Sequence, residues 1–442
     1  MSKKGIMSTI VLSMFLLVLS ACSGSSDSSE SKEVSNAEKA STEKVEIEFW
    51  YGLGSEADIK MKEIIEGFND SQDNYVVKAV PQANYDETYQ KVQAAIASNT
   101  APGVFITEGE AMHDLASKEV IAPLDELMEA DNNFDEADFL EVFINPTKIN
   151  DSYFGLPAYG TTQVMYYRKD IFEEAGIDPE EAFASWENLA KASKEFQDKG
   201  LTEYGHLPMW GSGNLMDIAL SNGGEILSED GKEVLIDRPE WIEAWEFIRK
   251  QIHEEKTMKV NSGGQGWEYW YKTIDEVMNG SAASYTGSSG DKGNLDFDII
   301  DSTVQPGLNG NDPRPNAGAL FMAIPNDISE EEKDAAYAWM SYFTSAEVNA
   351  DWAKTIGYIP VRYSAMEVPE YAKFIEGNKY AGVPFEQAQT GSASFIDPTD
   401  GKITDAISIA ADKVELENIS AEEALSDAKI AAQKALDEIN DN

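Results

Sequence analysis

Residues 45–80 read VEIEFWYGLGSEADIKMKEIIEGFNDSQDNYVVKAV, and this stretch decides the fold class. Val45, Ile47 and Phe49 alternate with Glu46 and Glu48, the period of two expected of a strand with one buried face, and the strand is predicted to end at Trp50. Ser55 to Asn69 carries a helical pattern, and Tyr75 to Val80 returns to strand. Asn84 with Glu87 three residues on reads as a capping box opening the next helix. Pro102-Gly103 then precedes the strand Val104-Phe105-Ile106. Further on, Val164 to Tyr167 reads as strand, a short helix stops before Gly176, and Ser185 caps a helix ending near Gly200. Asp237 with Glu240, Ser329 with Glu332 and Ser420 with Glu423 repeat the capping pattern. Strand and helix in this rhythm predict an α/β fold of packed layers, and no short-period repeat interrupts it.

Upstream of this stretch the composition changes twice. Lys3 and Lys4 are followed by an apolar run from Ile10 to Leu19 and then Leu19-Ser20-Ala21-Cys22. Charge, a short apolar core and small residues before a cleavage point read as a signal peptide over residues 1–22. The run is shorter than the roughly 20 apolar residues of a bilayer-spanning helix. Leu-Ser-Ala-Cys also resembles the lipobox of bacterial lipoproteins, which implies that Cys22 is acylated and anchored in membrane lipid. Residues 23–44 are Ser-rich, charged and free of aromatics, and are predicted to form a flexible tether of about 25 Å. Cys22 is the one cysteine in 442 residues, so no internal disulfide can form and no thiol is left for metal or catalysis.

The body after residue 44 holds roughly 400 residues, more than one core usually carries, so two lobes are expected. It has 42% apolar residues in the full chain's composition, enough for a packed core. Eighty acidic against 34 basic residues give a net charge of −46. Such a field repels nucleic acid and anionic surfaces, so no nucleic-acid partner is expected, and a multiply anionic solute is a poor default ligand.

Motifs for catalysis are scarce. There is no phosphate-cradling GxxxxGK[ST] loop and no HExxH; Gly52-x-Gly54 and Gly211-x-Gly213 lack the third glycine of a dinucleotide fingerprint. His113, His206 and His253 lack metal-ligand spacing and read as structural. Asp131-x-Asn133-x-Asp135 starts like a calcium loop but has Glu136 in place of glycine and Val142 in place of the bidentate Glu. No enzyme and no cofactor are expected.

Aromatics cluster instead beside polar loops. Trp267-Glu268-Tyr269-Trp270-Tyr271 follows Ser262-Gly263-Gly264-Gln265-Gly266, Trp210 precedes Gly211-Ser212-Gly213, Trp50-Tyr51 closes the first strand, and Tyr285 precedes Thr286 to Gly290. Sugars offer apolar C–H faces and a rim of hydroxyls, which flat aromatics and scattered carboxylates, amides and hydroxyls complement. If the Trp267 run is helical, Trp267 and Trp270 share a face and Tyr269 points elsewhere.

The order of motifs along the body resembles the extracellular solute-binding proteins of bacterial ABC sugar importers, within them the maltodextrin and glycerol-3-phosphate branch. The resemblance rests on Ile47-Glu48-Phe49-Trp50, Asn84-Tyr85, Ala101-Pro102-Gly103-Val104, Gly155-Leu156-Pro157, Tyr166-Tyr167-Arg168-Lys169-Asp170, Asn279 to Ala283, Gly318-Ala319-Leu320 and Gly357 to Val361. It implies a two-lobed periplasmic-binding-protein-like fold with interlobe crossing strands and a ligand cleft. The crossings would fall near Ala158–Thr162, Asn316–Leu320 and Tyr358. Lobe 1 would then take residues 45–160 and 320–356, and lobe 2 residues 161–319 and 357–442. Carried over residue by residue, the resemblance points to Tyr85, Glu108, Thr161, Trp210, Ser288, Gly318 and Tyr358 as ligand contacts. The aromatic reading adds Trp50 and Trp267. One departure is informative: the glycerol-phosphate branch holds phosphate with an arginine where this chain reads Thr390 to Phe395, which contains no Lys or Arg. Phosphate would lack its charge-assisted bonds there. The implied role is an extracytoplasmic subunit that captures a neutral sugar or oligosaccharide and delivers it to ABC permease subunits. The alternatives are a glycerol-3-phosphate or glycerophosphodiester ligand, and more remotely a glycosidase-like enzyme.

Overall fold

The computed structural model describes residues 44–399 and 401–440. The predicted signal peptide, Cys22 and nearly all of the tether lie outside these residues.

The opening strand is β1 (Val45–Tyr51), and its alternation buries Ile47, Phe49 and Tyr51. A helix, Ser55–Ser71, returns the chain to β2 (Tyr75–Pro81), and a second, Tyr85–Ala97, leads to β3 (Val104–Thr107). Both β2 and β3 pair with β1 in parallel, the outcome expected when helices make each crossover. A small hairpin, β4 (Lys148–Ile149) and β5 (Ser152–Tyr153), precedes the long strand β6 (Leu156–Arg168). Then come β7 (Tyr204–Leu207), β8 (Ala282–Ser288), β9 (Ile300–Thr303), β10 (Asn316–Ala323) and the short β11 (Ser392–Ala393). The main sheet runs β2-β1-β3-β10-β6-β8-β7, with β9 also on β6 and β11 also on β10.

One strand carries the sheet from one core to the other. The first half of β6, Leu156 to Thr162, pairs with β10, and from Gln163 onward it pairs with β8 and β9. Ala158 and Tyr159 belong to a first core with Phe49, Phe105, Trp339 and Trp352. Beyond the switch, Met165 packs into a second core with Trp186, Trp241 and Trp245, while Val164 and Tyr166 face a third cluster with Tyr285. Alternate residues entering different clusters show that this half of the sheet is covered on both faces. The first core reaches Ile359 and Val361 late in the chain, and the second takes the final helices, Lys402–Glu415 and Ala421–Asn440.

Local signals behave unevenly. Ser329 and Glu332 form a complete capping box, and Ser420 accepts from Glu423 N at 3.3 Å. Asp237 caps nothing: the helix starts at Pro239 behind Arg238, because Pro fits the first helical turn without needing its missing N–H.

Candidate functional site

A cavity of about 520 Å³ is walled by both halves. The first wall comes from the turn after β1, the start of the helix Tyr85–Ala97, Glu108 and Tyr358. The second comes from Trp267, Trp270 and Tyr271, with Ser288, Gly290, Asp291, Gly293 and Asn294. Thr161 of β6 and Leu320 of β10 complete it from the crossing strands.

Backbone approach sets the first wall. A Cβ on Gly52 would sit 2.2 Å from the carbonyl carbon of Asn84, so only glycine lets the exit of β1 touch the helix start. That contact brings Tyr85 and Asp86 to the cavity. Asn84 caps the helix by accepting from Glu87 N at 2.8 Å. Glu87 reaches back to Ala83 N at 2.9 Å, one residue earlier than a capping box requires. Behind this, the Tyr85 and Tyr159 hydroxyls share a 2.8 Å hydrogen bond, and Tyr159 stacks on Tyr358 at 4.7 Å between centroids. Trp352, fully buried, backs Tyr159 at 5.2 Å. Burial raises all three phenols, Tyr358 to about 12, so they stay neutral and can donate hydrogen bonds.

Glu108 occupies the N-cap position of the helix Gly109–Ser117 without capping it. Its carboxylate is open to the cavity but surrounded by protein. That desolvation, followed by repulsion from Asp86 and Glu110, pushes its carboxyl above the usual range.

The second wall begins where the Gly-rich loop ends. Gly264 has φ of +92°, and a Cβ there would lie 2.6 Å from the Glu268 carboxylate. The helix Glu268–Met278 follows. Trp267 is 52% exposed and Tyr271 50%, and both line the cavity. Trp270 lines it too, with its indole donating to Asp291 Oδ1 at 2.8 Å. Tyr285 donates to the other oxygen at 3.2 Å. Asp291 is 5% exposed, and burial pushes it up to about 7. Tyr269 leaves the cavity lining, as helical spacing predicts, and meets Trp210 edge-on at 5.0 Å while its ring stays within 6.3 Å of Trp267 and 6.2 Å of Trp270.

Of the residues singled out in the sequence, Tyr85, Glu108, Thr161, Trp267, Ser288 and Tyr358 line this one cavity. Trp50, Trp210 and Gly318 do not. Trp50 shares a face of β1 with Glu46 and Glu48 and donates to Glu48 at 2.8 Å. Trp210 donates to Asp412 Oδ1 at 2.8 Å and supports Tyr269 from behind. Gly318 lies buried opposite Thr161, where a Cβ would meet Ser394 Oγ at 2.2 Å, so its place is a packing requirement between strands. Glu56, Asp86, Asp291 and Asn294 also line the cavity and escaped sequence reading. Asp86 adjoins Tyr85 and was within reach of a neighbour argument; nothing local marks Asp291 as buried.

The remaining candidates for chemistry are structural. His206 is buried between Ser284 and Thr286 hydroxyls at 2.9 and 3.0 Å, and burial lowers it to about 3. Asp131 accepts from Asn133 N and Ser341 Oγ. Among the described residues, no group of three or more His, Cys, Asp or Glu could hold a metal ion. No helix there is long and apolar enough to cross a membrane.

Comparison with known proteins agrees with this architecture. The chain belongs to the bacterial extracellular solute-binding protein family, which it matches over residues 63–376. Members of that family are solute-binding proteins that act outside the cytoplasm. The sn-glycerol-3-phosphate-binding periplasmic protein UgpB of Yersinia enterocolitica is 23% identical over 363 residues, covering 77% of this chain and 80% of the relative. Among solved structures, the GacH receptor of Streptomyces glaucescens superposes with a TM-score of 0.78 at 20% identity, over 89% of this chain and 99% of its own. UgpB from Mycobacterium tuberculosis, in complex with glycerophosphocholine, also gives 0.78, at 22% identity over 89% and 99%. The fold is therefore the two-lobed one of periplasmic binding proteins.

Proposed function

We propose that this protein is the solute-binding subunit of an ABC importer and that it captures a neutral sugar or oligosaccharide in the cleft between its lobes. One observation carries the reading: among the described residues, those lining the 520 Å³ cavity combine exposed aromatic faces with hydroxyls, amides and carboxylates and include no lysine or arginine. Aromatic faces suit the apolar side of a pyranose, and carboxylates accept from its hydroxyls. The volume lies in the range of ordinary small-molecule sites, roughly 300–1,000 Å³. The role is binding alone, without cofactor, followed by delivery to permease subunits.

A glycerol-3-phosphate ligand is the second reading, favoured by the similarity to the UgpB proteins. Against it, the helix N-termini at the cavity that could otherwise receive an anion carry acidic residues at their starts: Glu56, Asp86, Glu108 and Glu268. Calorimetry against neutral mono- and oligosaccharides beside glycerol-3-phosphate decides the matter. Binding of the phosphate ester alone would overturn the sugar reading.

For the chain as a whole, Cys22 is the proposed lipid attachment point and residues 23–44 the tether. A Cys22→Ser variant should leave the membrane fraction; retention there would refute the anchor. The proposed lobe division places the third crossing near Tyr358, with Ile359, Val361 and Ala388 beyond it still packing in the first core.

A further inference from the structure

The point where β6 leaves the first core is held by side chains in addition to its strand ladders, which pass from β10 at Thr162 to β8 at Gln163. Asn316, at the start of β10, gives its backbone N–H to Asp217 Oδ1 at 2.8 Å and takes the Thr162 hydroxyl on its carbonyl at 2.7 Å. The carbonyl of Gln163, the residue at which β6 changes partners, accepts from Gln305 Nε2 at 2.8 Å and from Gln387 Nε2 at 2.5 Å. These side chains are also tied to one another. Gln305 Nε2 donates to Asp217 Oδ2 at 2.6 Å, Gln305 N to Gln387 Oε1 at 2.7 Å, and Gln387 Nε2 to Thr162 Oγ1 at 2.7 Å. Asp217 belongs to the helix Ser212–Leu220 and Gln387 to the helix Val383–Thr390, while Gln305 follows β9. Segments far apart in sequence therefore close one ring around the crossing.

Thr162, Asp217, Gln305 and Gln387 are 4%, 2%, 1% and 2% exposed, and none of them lines the cavity. Buried polar groups cost free energy unless bonded, so a closed ring of this kind selects one arrangement of the segments it joins. One member is incompletely bonded: Gln305 Oε1 is buried without a hydrogen-bond partner. A buried acceptor left open favours any arrangement of the crossing that would fill it.

We propose that Asp217, Gln305 and Gln387 form a clasp that sets the resting angle between the two lobes, and thereby tunes the affinity of the cleft without touching the ligand. This rests on the reading of the cavity as an interlobe binding cleft. Affinity scales with the fraction of molecules already in the binding-competent arrangement, so a clasp that shifts that fraction changes Kd with every ligand contact intact.

The test is a distance measurement that needs no ligand. In the full chain carrying Cys22→Ser, spin labels are placed at Ile59→Cys and Ile409→Cys, both exposed, on helices of the first and second core. Asp217→Asn, Gln305→Met and Gln387→Met are each expected to shift or broaden the interlabel distance distribution. Ser394→Ala, whose hydroxyl bonds the Asn316 side chain outside the ring, should leave it unchanged. Gln387→Glu, which keeps the length of the side chain, serves if the methionine variants do not fold. Calorimetry with maltotriose as probe should then show at least about a threefold change in Kd in the clasp variants. Lower melting temperatures with an unchanged distance distribution would make the ring merely structural and overturn the proposal. A distribution that shifts while no sugar binds would uphold the clasp and refute the sugar reading instead.

Discussion

The two walls of the cleft are built on opposite plans. The first is a chain of tyrosines rooted in the core, with Tyr85 bonded to Tyr159, Tyr159 stacked on Tyr358, and Trp352 behind them. The second is a run of aromatics at the start of one helix, where Trp267 and Tyr271 are half exposed. The carboxyls differ as well. Those of the first wall, Asp86 and Glu108, open onto the cavity. Those of the second half, Asp217, Asp291 and Glu415, are buried, Asp291 while also lining the cavity, and burial raises their proton affinity as it does that of Glu108. The contrast separates two tasks. A wall that shares residues with the core is preorganised but cannot change without cost to stability, whereas an exposed wall can vary with the ligand and leave the fold intact.

Breaking the first wall should have the largest effect. Trp352→Ala removes a fully buried indole, and chemical denaturation should show a loss of about 3–5 kcal/mol. Trp267→Ala tests the other side. Its melting should move by less than the equivalent of about 0.5 kcal/mol, while sugar affinity measured by calorimetry falls about tenfold. Equal stability losses in the two variants would erase the distinction.

The buried carboxyls allow a finer test. Glu415 accepts from Gly211 N at 3.1 Å through one oxygen, while the other has no partner, and burial raises it from 4.5 to about 8. The folded state therefore holds a proton that the unfolded chain releases between those values. Its contribution to stability is lost as pH rises through that window. Glu415→Gln should flatten this slope and be more stable than the parent at pH 9, with little difference at pH 5, as read from melting across the pH range. A steeper slope in the variant would refute the assignment. The smallest effect is expected from Tyr159→Phe, which strips the Tyr85 hydroxyl of its partner and should cost about 0.5–1 kcal/mol, read by denaturant titration.

Much of the fold was legible because its signals are local. The alternation from Val45 to Phe49, the Asn84 cap and the Ser329–Glu332 box each involve residues a few positions apart, and each appears in the structure. The Trp267 run was legible for the same reason, since helical spacing alone takes Tyr269 off the cavity face that Trp267 and Trp270 share, although its ring still meets both. Trp210 shows where such reasoning ends. An indole beside a Gly-rich loop suits a ligand site and a supporting contact equally well, and its bond to Asp412 joins residues 202 apart. Asp291 failed in the opposite direction, because its burial depends on Trp270 and Tyr285 closing over it.

What the sequence by itself determined was the alternation of strands and helices, the acidic balance, the aromatic stock of the cleft and membership of a two-lobed architecture. The first three depend on composition or on periods of two to four residues, and the last on a resemblance carried by the order of motifs along the body. Only the tertiary structure decided which aromatics face the cavity, that no lysine or arginine among the described residues lines it, and that β6 changes partners at Gln163 inside a ring of buried side chains. Those facts arise from contacts between segments tens to hundreds of residues apart, where geometry rather than local spacing sets which groups meet.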